Sequence, residues 1–142
     1  MGEALQSLRD EGVLIVGAGM AVHNLRDFRA AMGKEKNMPL ACPTASVYIV
    51  PNILLLILYS YSITFDDALK EAATSNPEKR RAKMLELMKR SDARQAHPTL
   101  DHILPMHVAA GAAAESVGEQ LWTMPETSLS WAQYRFGEIP TA

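Results

Sequence analysis

The side chains that could carry out acid–base or metal chemistry in this 142-residue chain are four histidines in two short stretches. His23 follows the glycine-containing stretch 17–19, and His97, His102 and His107 succeed one another at intervals of five residues. An imidazole exchanges a proton near neutral pH and is a frequent metal ligand. The two stretches are therefore the candidate functional regions.

The spacing of the histidines excludes one class of metalloenzyme. A zincin helix places two histidines four residues apart on one face, whereas these histidines are five apart. An extended His97 and a helical His102 can still converge on one point, because Pro98 bends the chain between them. A role in capping or in the core is the alternative interpretation for both.

Other kinds of active site lack the residues that they need. The stretch 17–22 resembles the start of a dinucleotide fingerprint, but the third glycine and the ribose-binding acid are missing. Ser46 and Ser60 stand outside any G-x-S-x-G motif. Cys42 has no basic neighbours that could activate a thiolate. Neither nucleotide binding nor nucleophilic hydrolysis is therefore indicated.

The composition indicates one α/β domain with enough apolar material for a core: 48% hydrophobic and 21% charged residues. The net charge of -2, with no basic stripe, disfavours nucleic acid as a partner. A single cysteine excludes an internal disulfide, and the charged N-terminus lacks the apolar region of a secretory signal. These features predict a cytoplasmic location.

The elements around His23 can be predicted from local signals. A short helix is expected over 3–10, followed by a strand over 13–16 whose continuous apolar run is typical of burial on both faces. Asn24 is the predicted N-cap of a helix over 25–32, and Gly33 is expected to end it. The fold would thus hold His23 between a buried strand and a helix.

Two helices are predicted in the middle of the chain. Thr64 is the expected cap of the first, and Pro77 starts the second, which covers 78–91. In the second helix Met84, Leu85, Leu87 and Met88 are expected to face the core. The charged residues are expected to face water: Glu78, Lys79, Arg80, Arg81, Lys83, Lys89 and Arg90.

The region after these helices contains the other three histidines. Pro98 predicts an extended start, and the small residues of 101–114 predict a helix that packs closely against a sheet. The stretch SLSWAQYRFGE, residues 128–138, predicts a terminal strand or extended arm. His107, within the helix, is interpreted as a packing residue.

Residues 40–60 form an atypical hydrophobic insertion between these regions. Pro43 and Pro51 interrupt it, and 45–65 is about long enough to cross a bilayer. The basic flanks of a true span are missing, since no Lys or Arg lies between Lys36 and Lys70. A buried strand or helix is the preferred interpretation, and a single-span membrane protein is the alternative.

Four stretches resemble, in the same order, the C-terminal half of the class III extradiol ring-cleavage dioxygenases: GVLIVGAGMAVHNLRDF, SITFDDALKEA, DARQAHPTLDHILPMHVAAGAA and SWAQYRFGE. The resemblance is to the DOPA 4,5-dioxygenase-like group of the LigB superfamily. It implies a partial LigB-like fold, with a central sheet flanked by helices. It also implies cleavage of a catechol ring by O2 at one non-haem ion, either Fe(II) or Zn(II).

The resemblance assigns roles to particular residues. It makes His23 a catalytic residue, either the acid–base or a neighbour of the metal, with Asn24 near the substrate, although Val22 stands where the family usually has threonine. It makes His97 and His102 metal ligands, with His97 preferred. An imidazole titrates in the range needed to accept a catechol proton, and it binds iron and zinc alike. The expected substrate is a small catechol such as DOPA.

The resemblance also predicts that this chain is one part of a catalytic domain. The N-terminal half, with two further histidine ligands and several strands, is expected to be missing, and 40–60 is hypothesised to be retained intron sequence. Transcripts that carry this segment in frame would contradict the hypothesis of a retained intron. An inactive fragment or binding module of the same fold is the alternative function. A sheet edge that is exposed because the other half is missing would favour self-association.

Overall fold

The computed structural model describes residues 1–34 and 60–138, which combine helices with small antiparallel sheets. The predicted α/β class is confirmed. Apart from Ser60, the insertion 40–60 lies outside the described residues. After a 3₁₀ turn at Gly2–Leu5 the helices are α1 (Gln6–Asp10), α2 (Leu25–Lys34), α3 (Ser60–Ala73), α4 (Pro77–Leu87), α5 (Ala93–Ala96) and α6 (Leu104–Ala112). The strands are β1 (Val22–His23), β2 (Gly118–Trp122), β3 (Pro125–Glu126), β4 (Leu129–Ser130) and β5 (Gln133–Phe136).

The strands form two antiparallel sheets, one of which carries His23. In the first sheet the order is β1–β4–β3, and His23 lies opposite Leu129. In the second sheet β2 pairs with β5, with an irregularity between Gln120 and Trp122. The predicted terminal strand over 128–138 is therefore two short strands in different sheets. Residues 131–132, which join the two strands, belong to neither sheet.

The core lies between α3 and the histidine-bearing segments. Phe65 and Leu69 of α3, Val22 of β1 and Ile103 before α6 are all fully buried. The ring of Phe65 meets that of His97 edge-on, with 5.3 Å between the centroids. Burial of large apolar side chains favours folding, so the segments that carry His23 and His97 are anchored to the core.

The prediction of a buried strand over 13–16 is wrong. These residues form neither a helix nor a strand, and the side chains of Leu14 and Val16 are 82% and 76% exposed. A strand is stabilised by the neighbours that hydrogen-bond to it. No other segment within 1–34 and 60–138 pairs with this one, so its apolar run stays at the surface.

The helix boundaries follow the local signals only in part. The backbone N–H of Asp27 donates to Asn24 Oδ1 at 3.0 Å, which confirms Asn24 as a cap, but α2 continues past Gly33 to Lys34. Helix α3 begins at Ser60, so the prediction of Thr64 as its cap is wrong. The hydroxyl of Thr64 instead donates to the Tyr61 carbonyl inside the helix.

Helix α4 departs from its predicted pattern at two positions. Arg80 was expected in water, yet it is 2% exposed and donates to the carbonyls of Ser116 and Ala114 at 2.7 and 2.5 Å. Its guanidinium thereby satisfies carbonyls just beyond the end of α6. Leu85 was expected in the core but is 55% exposed, whereas Met84 and Leu87 are buried as predicted.

Among the helices described here, none is both long and apolar enough to cross a bilayer. Most of the stretch 45–65, on which the single-span alternative rested, lies outside the described residues.

Candidate functional site

Two of the four histidines, which come from distant parts of the chain, stack on each other, and a third lies near them. His23 lies in β1, His97 follows the end of α5, and His102 lies in the turn before α6. The rings of His23 and His102 stack with centroids 3.6 Å apart and planes at 25°. His97 Nε2 lies 2.8 Å from the carbonyl oxygen of Ala21, two residues before His23.

Two glycines of the stretch 17–19 allow the chain to approach the His102 turn closely. A Cβ at Gly19 would collide with the His102 carbonyl, and one at Gly17 would collide with the Pro105 carbonyl. The backbone N–H of Met20 donates to the His102 carbonyl at 3.1 Å. The glycines therefore serve a close packing contact that brings His23 and His102 together.

His97 is a neutral side chain buried near the stacked pair. It is 0% exposed, and burial lowers its pKa to about 4. Because a carbonyl can only accept, Nε2 carries the hydrogen and Nδ1 is the bare nitrogen. Nδ1 is buried without a partner among the described residues. It is thus free to accept a hydrogen bond or to bind a cation.

His23 has the electrostatic environment of a proton acceptor. Burial, with a smaller contribution from the neighbouring His102, lowers the pKa of His23 below its ordinary value, and Asp101 opposes the shift. The imidazole of His23 is therefore neutral at neutral pH. His102 is partly exposed, and its Nε2 lies 3.3 Å from a carboxylate oxygen of Asp101.

Both polar atoms of the Asn24 side-chain amide form hydrogen bonds within the protein. Oδ1 caps α2, while Nδ2 donates to the Gln95 carbonyl at 2.8 Å. Ser128 adds two hydrogen bonds to the backbone of Asn24. Asn24 is 4% exposed, so it ties β1 to the segment that leads to His97. Its predicted place beside a substrate stays a prediction.

Replacing Asn24 with alanine is expected to lower the free energy of unfolding by about 2 kcal/mol, since it removes a cap and a buried hydrogen bond worth about 1 kcal/mol each. Asn24→Ser is the matched control, because its hydroxyl can still cap α2, and about half of the loss is expected. Urea denaturation measures both. Equal losses in the two variants would contradict the capping contribution.

An open cleft of about 1220 Å³ lies beside the histidines. Its wall includes the stretch 12–21, one face of α6 and β5; of the three clustered histidines, His102 contributes to it. Arg9, Met106 and Tyr134 also line the cleft. No sequence motif marks these three residues, because they come from separate elements that only the fold brings together.

The described residues do not by themselves make a metal site. No group of three histidine, cysteine, aspartate or glutamate side chains among them could hold an ion. The lone pairs of imidazole lie in the ring plane, so the stacked rings of His23 and His102 cannot both reach one ion at about 2.1 Å. The assignment of His97 and His102 as ligands stays a prediction.

His107 lies apart from this cluster. It is partly buried in α6, its pKa is lowered by burial alone, and its Nε2 has no partner among the described residues. No contact with the other three histidines is present among these residues, which agrees with a packing role.

A mixed α/β frame that gathers imidazoles beside an open cleft is an enzyme-like arrangement. Residues 1–136 match the family model described as the catalytic LigB subunit of aromatic ring-opening dioxygenase. The chain belongs to this family, as the resemblance predicted.

Two similar proteins are called 4,5-DOPA dioxygenase extradiol. The protein from Beta vulgaris is 31% identical over 121 residues, which are 85% of this chain and 36% of that protein. The protein from Portulaca grandiflora is 30% identical over 141 residues, which are 98% of this chain and 43% of that protein. The chain thus spans less than half the length of these relatives.

The fold is shared with a solved structure. The crystal structure of an uncharacterized protein from Escherichia coli K12 matches with a TM-score of 0.64 and 23% identity. The match covers 92% of this chain and 46% of that protein. The likeness supports the partial LigB-like fold.

Proposed function

We propose that this chain supplies the acid–base residues of an extradiol dioxygenase site. Such a site opens a catechol ring with O2 beside the hydroxyl groups of the ring. The observation that carries the proposal is the stacked pair of His23 and His102 beside the cleft, in a chain of the aromatic ring-opening dioxygenase family. The names of the two plant relatives favour a DOPA-like catechol.

In this proposal His23 accepts a proton from a catechol hydroxyl. Its ring is neutral at neutral pH because its pKa is lowered, so the accepting nitrogen is available. Stacking against His102 fixes the plane of the ring. His97 holds the backbone at Ala21 through Nε2 and thereby positions His23.

The metal ion of the proposed reaction is Fe(II) or Zn(II). Either ion would supply Lewis acidity toward the catechol oxygens. We propose that His97 and His102 contribute ligands only when others join them, because the described residues offer no third. The substrate and the choice of metal are part of the proposal.

The second candidate is a binding module of the same fold without turnover. The lack of a three-ligand group among the described residues favours it for the isolated chain. Oxygen consumption distinguishes the two functions: with Fe(II) and either DOPA or protocatechuate, an enzyme consumes O2 and forms a ring-opened product. Catechol binding without O2 consumption would support the module, and neither binding nor turnover would contradict both.

The isolated chain is expected to retain well under one equivalent of Fe(II) or Zn(II) after dialysis, because two imidazoles bind less firmly than three or four ligands. Elemental analysis of the dialysed protein measures the retained metal. His107→Gln is the control, since this residue lies outside the cluster and its loss should change nothing. Retention of a full equivalent that persists in His97→Gln would contradict this ligand assignment.

A further inference from the structure

A buried carboxylate on α3 has no part in the chemistry proposed above. Asp66 is 3% exposed, and its Oδ2 accepts a hydrogen bond from the Thr123 hydroxyl at 2.6 Å. The Thr123 hydroxyl lies 3.3 Å from that of Ser130, which is fully buried in β4. These three residues are called here the Asp66 cluster. The cluster joins α3 to the sheet that carries His23.

The Asp66 carboxylate is costly to bury. Its Oδ1 is buried and has no partner among the described residues. Burial raises the pKa of the Asp66 carboxyl above its ordinary value, and the hydroxyls of Thr123 and Ser130 oppose the shift. Desolvation of an unpartnered oxygen destabilises a fold, whereas an apolar side chain of similar size would avoid this cost. The contribution of Asp66 must therefore come from the contacts of its other oxygen.

The β3–β4 hairpin, residues 125–130, needs support from outside. Each of its strands has two residues, and an isolated two-stranded hairpin is at best marginally stable in water. Helix α3 holds the hairpin through two side chains that lie one turn apart on the same face. The Ser62 hydroxyl donates to the Thr127 carbonyl at 2.7 Å. Asp66, four residues later, acts on the end of β4 through its cluster.

The same hairpin sets the position of β1. Ser130 lies opposite Val22, and Leu129 lies opposite His23. Strand β1 also has only two residues, and within 1–34 and 60–138 it pairs with β4 alone. A displacement of Ser130 would therefore shift the backbone of β1. The ring of His23 would then move relative to that of His102.

We propose that Asp66 is a positioning residue that acts through its cluster on β4 and keeps the ring of His23 stacked on His102. Its importance for ring cleavage rests on the proposed function, because the stack orients the ring that accepts the proton. The stack can be observed without turnover, so the two proposals can fail separately. If Asp66 were merely structural, its loss would change stability and leave the stack of the folded protein intact.

The test follows the Hε1 resonances of the histidines by NMR in the full chain. An aromatic ring stacked at 3.6 Å shifts the signal of its neighbour, so His102→Gln gives the position of the His23 signal without the stack. Asp66→Leu fills a similar volume but cannot accept a hydrogen bond. It should move the His23 signal most of the way to that position. Asp66→Asn keeps an oxygen that can accept from Thr123, so it should leave the signal in place.

The matched control is Asp67→Leu, which replaces the exposed carboxylate next to Asp66 on α3 and should leave the His23 signal unchanged. The His107 signal is the internal reference, because this residue lies outside the cluster of histidines. Thr123→Val removes only the hydroxyl that links α3 to β4. It should move the His23 signal in the same direction by a smaller amount, and it tests the proposal even if Asp66→Leu does not fold.

Four results would overturn the positioning role. They are a His23 signal that stays in place in folded Asp66→Leu, one that stays in place in Thr123→Val, equal movement in Asp67→Leu, and equal movement in Asp66→Asn. A His23 signal that is the same in the unaltered chain and in His102→Gln would also overturn it, since no stack would then exist in solution.

O2 consumption with added Fe(II) and DOPA is measured on the same variants. A displaced catalytic ring should lower kcat in Asp66→Leu by up to about 100-fold, because small misplacements of a reacting group have effects of this size. A moved His23 signal without a change in rate would support the positioning role and contradict the proposed function. A lower rate with an unmoved His23 signal would overturn the positioning role.

Discussion

Replacing His23 with glutamine is expected to lower the rate of catechol ring cleavage by about 10²–10⁴-fold, the range of a lost general base. Glutamine keeps a planar polar group beside His102 but cannot accept a proton at neutral pH. The rate is measured as O2 consumption by the chain with added Fe(II) and DOPA. Catechol binding should change much less, since the loss concerns proton transfer.

The pH profile separates this role from a structural one. The pKa of His23 lies below the ordinary 6.5, so the rate should fall only as the pH drops below 6.5. In His23→Gln this decrease should be absent from the residual rate. His107→Gln, a histidine outside the cluster, should leave rate and profile unchanged. A His23→Gln protein that retains the full rate would contradict the assignment.

Acidification from pH 6.5 to 4 is expected to destabilise the fold by on the order of 3 kcal/mol through His97 alone. Burial lowers the pKa of this residue from 6.5 to about 4 in the folded protein. In that interval the unfolded chain binds a proton that the folded protein excludes. The stabilisation is therefore complete above pH 6.5 and is lost as the pH falls toward 4. Urea denaturation at several pH values measures it.

His97→Gln is the matched variant, because a glutamine amide can still donate to the Ala21 carbonyl but does not titrate. Its unfolding free energy is expected to be lower than that of the unaltered chain at pH 7.5. The difference should shrink toward pH 4.5, while the contributions of carboxylates common to both proteins cancel. A difference that stays constant across this range would contradict a neutral buried His97.

Helix positions could be predicted because their signals act within one turn. Asn24 caps α2, and Pro77 opens α4 with Asn76 accepting from the N–H of Glu78. These contacts link neighbours in the chain, so they persist in almost any packing. The same local reasoning failed at Thr64, where the helix had already begun at Ser60.

Burial could not be predicted where a distant partner decides it. Arg80 belongs to a charged run, yet carbonyls at 114 and 116 draw its guanidinium into the interior. The apolar run 13–16 has the composition of a buried strand, yet within the described residues nothing pairs with it. Composition indicates whether burial of a segment would be favourable. Its neighbours in space determine whether the segment is in fact buried.

By itself the sequence determined the kinds of side chain available for chemistry: four imidazoles in two stretches and a glycine stretch before the first. The tertiary structure decided that His23 and His102 stack, that His97 is buried near them with one bare nitrogen, and that His107 lies apart. The physical reason is the distance along the chain between the residues that interact. Caps and turns depend on residues a few positions away, whereas His23 and His102 meet only because β1, its partner strand and the glycine contact with the α6 turn bring distant segments together.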